Sequence, residues 1–121
     1  MTARFFDSAI RIERDAVIID LQGEINAFAE EALNSAYGEA VSRGRSNTLL
    51  NFEDVDYINS TGIALIVGLM TQARKSNIRL LAYGLSAHYA EIFRVTRLDD
   101  FIAVFPDEQS ALAETIGSSE E

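Results

Sequence analysis

Asp56-Tyr57-Ile58-Asn59-Ser60-Thr61-Gly62-Ile63 is the stretch at which an extended run hands over to an apolar helix. Asn59, Ser60 and Thr61 each carry a side-chain oxygen, which is what an N-cap needs, because the first-turn N–H groups of a helix have no partner within it. Before it, Thr48 to Phe52 reads Thr-Leu-Leu-Asn-Phe, a run suited to a central strand covered on both faces, with Val55 to Ile58 extending or following it. After it, Thr61 to Lys75 is helical and almost wholly apolar in its first half, so this helix is predicted to be largely buried.

Outward from that junction the pattern continues to alternate. Phe5 to Ile12 and Val17 to Leu21 are extended apolar runs separated by the polar Glu13-Arg14-Asp15, a turn of hairpin length. Ala27 to Val41 places Phe28, Ala32, Leu33, Ala36, Tyr37 and Ala40 at helical spacing, with acids early and Arg43 late, and ends near Gly44. Ile78 to Tyr83 is a further strand. Gly84-Leu85-Ser86 supplies a turn and a cap for a helix over Ala87 to Val95. Ile102 to Phe105 is a short strand stopped by Pro106, and Asp107-Glu108-Gln109 opens a last helix carrying Ala111, Leu112 and Ile116. The order β-β-α-β-α-β-α-β-α predicts an α/β fold with a mixed, mostly parallel sheet, the opening hairpin supplying the antiparallel neighbour. Residues 1–116 are read as one domain and 117–121 as a disordered tail.

Composition narrows the function. With 121 residues and 48% apolar content the chain fits one domain, and a second folded domain is not expected. It has no cysteine, which excludes disulfides, thiolate metal sites and a cysteine nucleophile. Nineteen acidic against 10 basic residues give a net charge of −9, which repels a phosphate backbone, so direct nucleic-acid binding is not expected. The basic pairs Arg43 with Arg45 and Arg74 with Lys75 flank helix ends, where the macrodipole favours cations. The longest apolar stretch, Ile63 to Met70, is far short of the roughly 20 residues that span a bilayer. Met1 to Asp7 lacks the apolar core of a signal peptide, and the chain is read as cytoplasmic.

Reactive groups are sparse. His88 is the only imidazole, and without a Gly-x-Ser-x-Gly elbow it reads as a helix-surface residue before it reads as a catalytic base. Glu53, Asp54 and Asp56 gather carboxylates at a strand's C-terminal end, where open α/β sheets bind ligands. Their spacing is not that of a calcium loop, and a solvated loop is the simpler reading beside Mg²⁺ binding. Gly62 and Gly68 do not form a phosphate loop. At Asn59 to Thr61 two readings stand side by side. Capping alone accounts for the three residues, but the same geometry sets a hydroxyl beside free N–H groups and a positive dipole end that would accommodate a phosphate.

Val17-Ile18-Ile19-Asp20-Leu21-Gln22-Gly23-Glu24-Ile25, Asp54-Val55-Asp56-Tyr57-Ile58-Asn59-Ser60-Thr61-Gly62, and Ile78 to Tyr83 with Gly84 and Leu85 together resemble the STAS domain, a family shared by sulphate transporters and bacterial anti-sigma factor antagonists. The resemblance spans nearly the whole chain and implies a STAS-like single domain. In the stand-alone antagonists the second segment reads Asp-Ser-Ser-Gly or Asp-Ser-Thr-Gly, and the residue before the glycine accepts phosphate from a protein kinase. The resemblance puts that role on Thr61, with Ser60 as the fallback acceptor. Asn59 stands where the family has aspartate, keeping the cap and removing a charge, and Asn26 replaces an acid after the matching Gly23 and Glu24.

What the resemblance implies is a partner switch that is not an enzyme and needs no cofactor. The unphosphorylated protein binds an anti-sigma factor or serine/threonine protein kinase and so frees a sigma factor to direct transcription, and phosphorylation blocks binding until a phosphatase resets it. The docking face is expected at Glu24, Asp56, Tyr57, Ile58, Asn59, Ser60, Thr61 and Gly62, without membrane insertion. A second reading is a STAS subunit that only docks, on a transport ATPase or a stress-signalling scaffold, with Thr61 serving as a cap. A third is an enzyme or ligand sensor using the strand-end cleft near Glu53 and Asp56.

Overall fold

A computed structural model describes residues 5–119. Strands β1 (Asp7–Glu13) and β2 (Ala16–Ile25) pair antiparallel across a turn in which Arg14 takes a left-handed φ of 57°. Strands β3 (Asn47–Ile58), β4 (Arg79–Tyr83) and β5 (Ala103–Phe105) add in parallel, giving a sheet ordered β1-β2-β3-β4-β5. Helices α1 (Glu30–Val41), α2 (Ser60–Lys75), α3 (Ala87–Val95) and α4 (Glu108–Ser119) complete the expected order. Among the described residues no helix is long and apolar enough to cross a membrane.

Alternation along the central strands sorts side chains onto two faces. Val17, Ile19, Leu21, Leu50, Phe52, Leu80 and Ala82 join Leu33 of α1, Ile66 and Leu69 of α2 and Phe93 of α3 in the larger core. Ala16, Ile18, Leu49, Leu81 and Tyr83 face the other way, where Ala111 of α4 covers them. That second core is small, and polar contacts help to fix α4 on it. The Arg11 guanidinium bridges Asp20 at 2.6 Å and Glu108 at 2.7 Å, Asn51 donates to Asp20 at 2.7 Å, and the Tyr83 hydroxyl donates to Glu108. The hydrogen bonds from Arg11 hold both carboxyls below their usual range, while burial, and then the adjacent Glu108, push the Tyr83 phenol up.

Several expectations need correction. The first helix does not start at Ala27: residues Ala27–Ala29 form a single 3-10 turn, because the Asn26 side chain accepts from Phe28 N–H at 2.9 Å and tightens the chain there. Within α1 the face bearing Leu33, Ala36, Tyr37 and Ala40 meets the sheet and Ala32 is exposed, while the turn ahead of it buries Ala29 and leaves Phe28 94% exposed. Helix α2 is not largely buried either. Gly62, Ile66, Leu69 and Ala73 face the sheet, but Ile63, Leu65, Val67 and Met70 are half-buried and Ala64 is exposed, since a helix lying on a sheet buries one side and, among the described residues, no further layer covers this one. Of the two readings of Val55 to Ile58, the structure has the extension: these residues continue β3. At the C-terminus α4 runs three residues past Ile116, Gly and Ser being weak helix formers but not barred from helical backbone. Residues 120–121 of the expected tail and 1–4 of the amino terminus lie outside the described residues.

Candidate functional site

The junction between β3 and α2 is built around Asn59. Its backbone is extended (φ −90°, ψ −177°), its N–H donates to the Ile25 carbonyl at 3.2 Å, and its Oδ1 accepts from Gly62 N–H at 2.8 Å. The first intrahelical bond follows, from Ile63 N–H to the Asn59 carbonyl at 2.9 Å. Asn59 is therefore the cap, and α2 begins at Ser60, one residue ahead of the sequence reading. The cap takes the N–H of Gly62, and those of Ser60 and Thr61, two exposed residues, precede the first intrahelical bond. Helix dipole and open N–H groups make this turn a place where an anion on either side chain is favoured.

Two contacts hold the turn in place. A Cβ on Gly62 would lie 2.1 Å from the Ile25 carbonyl oxygen and 2.8 Å from Ile58 Cγ2, so only glycine lets α2 approach the end of β2 this closely. Tyr89 of α3, buried, uses its hydroxyl twice: it accepts from Ile58 N–H at 2.9 Å and donates to the Ile58 carbonyl at 3.2 Å. Beyond Asn51 strand β3 has lost β4 as a neighbour, so this phenol replaces the missing ladder partner one residue before the cap.

A family model for the STAS domain matches residues 7–111. The chain belongs to the STAS domain family. The anti-sigma-B factor antagonist of Listeria monocytogenes is 29% identical over 94 residues, covering 76% of this chain and 82% of that one. Among solved structures, an anti-sigma factor antagonist from Mycobacterium paratuberculosis superposes with a TM-score of 0.79 at 16% identity, over 91% of this chain and 93% of its own. The phosphorylated form of the Bacillus cell fate determinant SpoIIAA superposes at 0.68 with 22% identity, over 92% and 99%.

In this STAS domain the residues singled out by sequence are brought to one end of the sheet, in different roles. Ser60 and Thr61 are exposed on the first turn of α2, and Asp56 and Tyr57 are exposed at the end of β3, Tyr57 at 52%. Glu24 pairs with Tyr57 across the β2–β3 ladder and accepts from the Asn26 side chain at 3.3 Å. Ile58, 4% exposed, and Gly62 are buried, which does not suit the contact role expected of them; they support the turn from beneath. Register shifts at Asp20/Gln22 and at Gly23/Glu24 bend this end of the ladder, and Gly23, at φ 87°, supplies the backbone freedom for the second. His88 is exposed on the first turn of α3, edge-on to the Tyr89 ring. Glu53, Asp54 and Asp56 do not converge as a three-donor metal group among the described residues.

Sequence reasoning missed Tyr89, whose isolated hydroxyl gives no local signal of a partner 31 positions away. Tyr89→Phe should cost about 1–3 kcal/mol, the range for leaving buried polar groups such as the Ile58 amide unsatisfied. Urea unfolding of the two proteins measures it. A loss below about 0.5 kcal/mol would mean that the phenol is not what secures the end of β3.

Proposed function

We propose that this STAS domain is an anti-sigma factor antagonist of a bacterial, cytoplasmic partner-switching pathway, with Thr61 as its phosphorylated residue and Ser60 as the fallback. The observation that carries the reading is the exposed Thr61 hydroxyl on a capped helical turn whose own N–H group remains open. A kinase can reach that oxygen, and the turn stabilises the product anion instead of melting. The named role of the Listeria relative and the phosphorylated state of SpoIIAA support the same reading. The chain supplies the acceptor; a serine/threonine protein kinase, itself the anti-sigma factor or its companion, supplies the chemistry, and a phosphatase reverses it.

The docking surface in this reading is the end of the molecule that carries Thr61, Ser60, Asp56, Tyr57 and Glu24, extended by the uncovered side of α2 at Ile63, Ala64 and Val67. Apolar helix surface beside a phosphorylatable hydroxyl makes a switch, because a charge of about −1.5 to −2 added at the edge of a desolvated contact opposes its formation. Intact-mass analysis and phosphosite mapping after incubation with ATP and host-cell extract test it, with Thr61→Ala and Ser60→Ala alongside. Phosphate lost only in Thr61→Ala supports the assignment. A wild-type chain that stays unmodified while binding an anti-sigma factor leaves constitutive docking, with Thr61 as a helix-start residue only.

A further inference from the structure

We propose that Phe28 is an apolar anchor that extends the docking surface of this chain to a second point of contact, and that the partner meets it with an apolar side chain flanked by Lys or Arg. The inference rests on the docking reading above. Phe28 and Phe5 are 94% and 90% exposed, the most uncovered large apolar side chains among the described residues. Between them lies a groove of about 290 Å³, walled by Phe5, Phe6, Phe28 and Ala32, with Glu24 and Asn26 at its polar end.

Phe28 is aimed outward by structure and not by chance. Its N–H is held by Asn26 Oδ1 at 2.9 Å, the next N–H, of Ala29, donates to the Asn26 carbonyl at 2.9 Å, and Ala29 is buried beneath it. A pinned single-turn segment fixes the backbone that carries the ring, so on binding only the two side-chain torsions of Phe28 remain to be ordered, a small cost for so large an apolar surface. The segment also adjoins the switch: Ile25, immediately before it, receives the Asn59 N–H and packs against Gly62. Groove and Thr61 turn are thus neighbouring parts of one surface.

Charge selects the occupant. Glu24 lines the groove, and Glu30 and Glu31 line the shallow depression on the other side of Phe28, with no Lys or Arg among the described residues lining either one. A second copy of this chain would bring these carboxylates against one another, so self-association through this face is opposed. A partner with basic residues around an apolar side chain is favoured at both kinds of contact.

The test uses an anti-sigma factor that binds the wild-type chain and compares Phe28→Ala, the double variant Glu30→Lys/Glu31→Lys, and Thr61→Glu by calorimetry. Phe28→Ala is expected to weaken binding at least tenfold with an unchanged thermal melt, since the ring touches little of its own protein, and the charge reversal should weaken binding and flatten its salt dependence. Phe28→Ala within twofold of wild type, while Thr61→Glu loses binding, overturns the anchor and leaves the switch intact. Binding unmoved by any of the three variants, or found with no anti-sigma factor, overturns the docking reading together with the anchor. A wild-type dimer that Phe28→Ala abolishes in sedimentation assigns the groove to a second copy and overturns the proposed occupant.

Discussion

Gly62→Ala is expected to destabilise the protein by about 1–3 kcal/mol, the range for forcing a methyl into a filled space, although alanine is the better helix former by up to about 1 kcal/mol. The sign is decided by what the new Cβ meets. It would lie 2.1 Å from the backbone oxygen of Ile25, and neither that carbonyl nor the start of α2 can yield as a flexible side-chain tip would. Relief requires α2 to lift away from the end of β2, stretching the Asn59 N–H bond to Ile25 that measures 3.2 Å and dislocating the cap. Gly68, further along the same helix, is the internal control: a Cβ there meets nothing within 4 Å. Gly68→Ala should therefore stabilise by about 0.5–1 kcal/mol through propensity alone. Opposite shifts in urea midpoints for the two glycines, with amide resonances of Asn59 to Ile63 displaced only in Gly62→Ala, are the expected pattern. A stabilised Gly62→Ala would show that the α2–β2 approach is loose, and with it the fixed geometry of the Thr61 turn.

The order of elements was legible because each carries its own period. Thr48 to Phe52 and Val17 to Leu21 are too short and too β-branched or apolar for anything but covered strands, and Ser86 announces α3 by the bond its oxygen accepts from Tyr89 N–H. The site was legible where it depends on residue type: Asn59, Ser60 and Thr61 are cap chemistry whatever surrounds them. Legibility failed where tertiary geometry chooses between equal patterns. Phe28 sits in phase with Ala32 and Ala36 on an ideal helix, and of the three only Ala36 is buried. The first half of α2 is apolar on every side, so its sequence could not say which side meets the sheet. Tyr57 and Ile58 are neighbours in a strand, and alternation puts one outside and the other in the core. Tyr89 and the Gly62–Ile25 approach are contacts between segments far apart in sequence, for which no local pattern exists.

Thr61→Glu is expected to separate binding from stability: affinity for the anti-sigma factor should fall about 100-fold or more, roughly 2.7 kcal/mol, while the melting temperature holds or rises slightly. Stability is protected because the carboxylate enters the first turn of α2, where the dipole and the open N–H groups of Ser60 and Thr61 favour a negative charge by about 0.3–1 kcal/mol at an exposed site. Binding is not protected, because the same charge must be desolvated where the partner covers the turn and the apolar side of α2 at Ile63, Ala64 and Val67. Glutamate adds one charge where phosphate adds about −1.5 to −2, so the substitution understates the effect of the modification. Thr61→Ala leaves the Asn59 cap in place and should bind as wild type does, which removes loss of the hydroxyl as an explanation for a weakened Thr61→Glu. Equal affinities for Thr61→Glu, Thr61→Ala and wild type would mean that the partner does not cover this turn, and a phosphate on it would have nothing to switch.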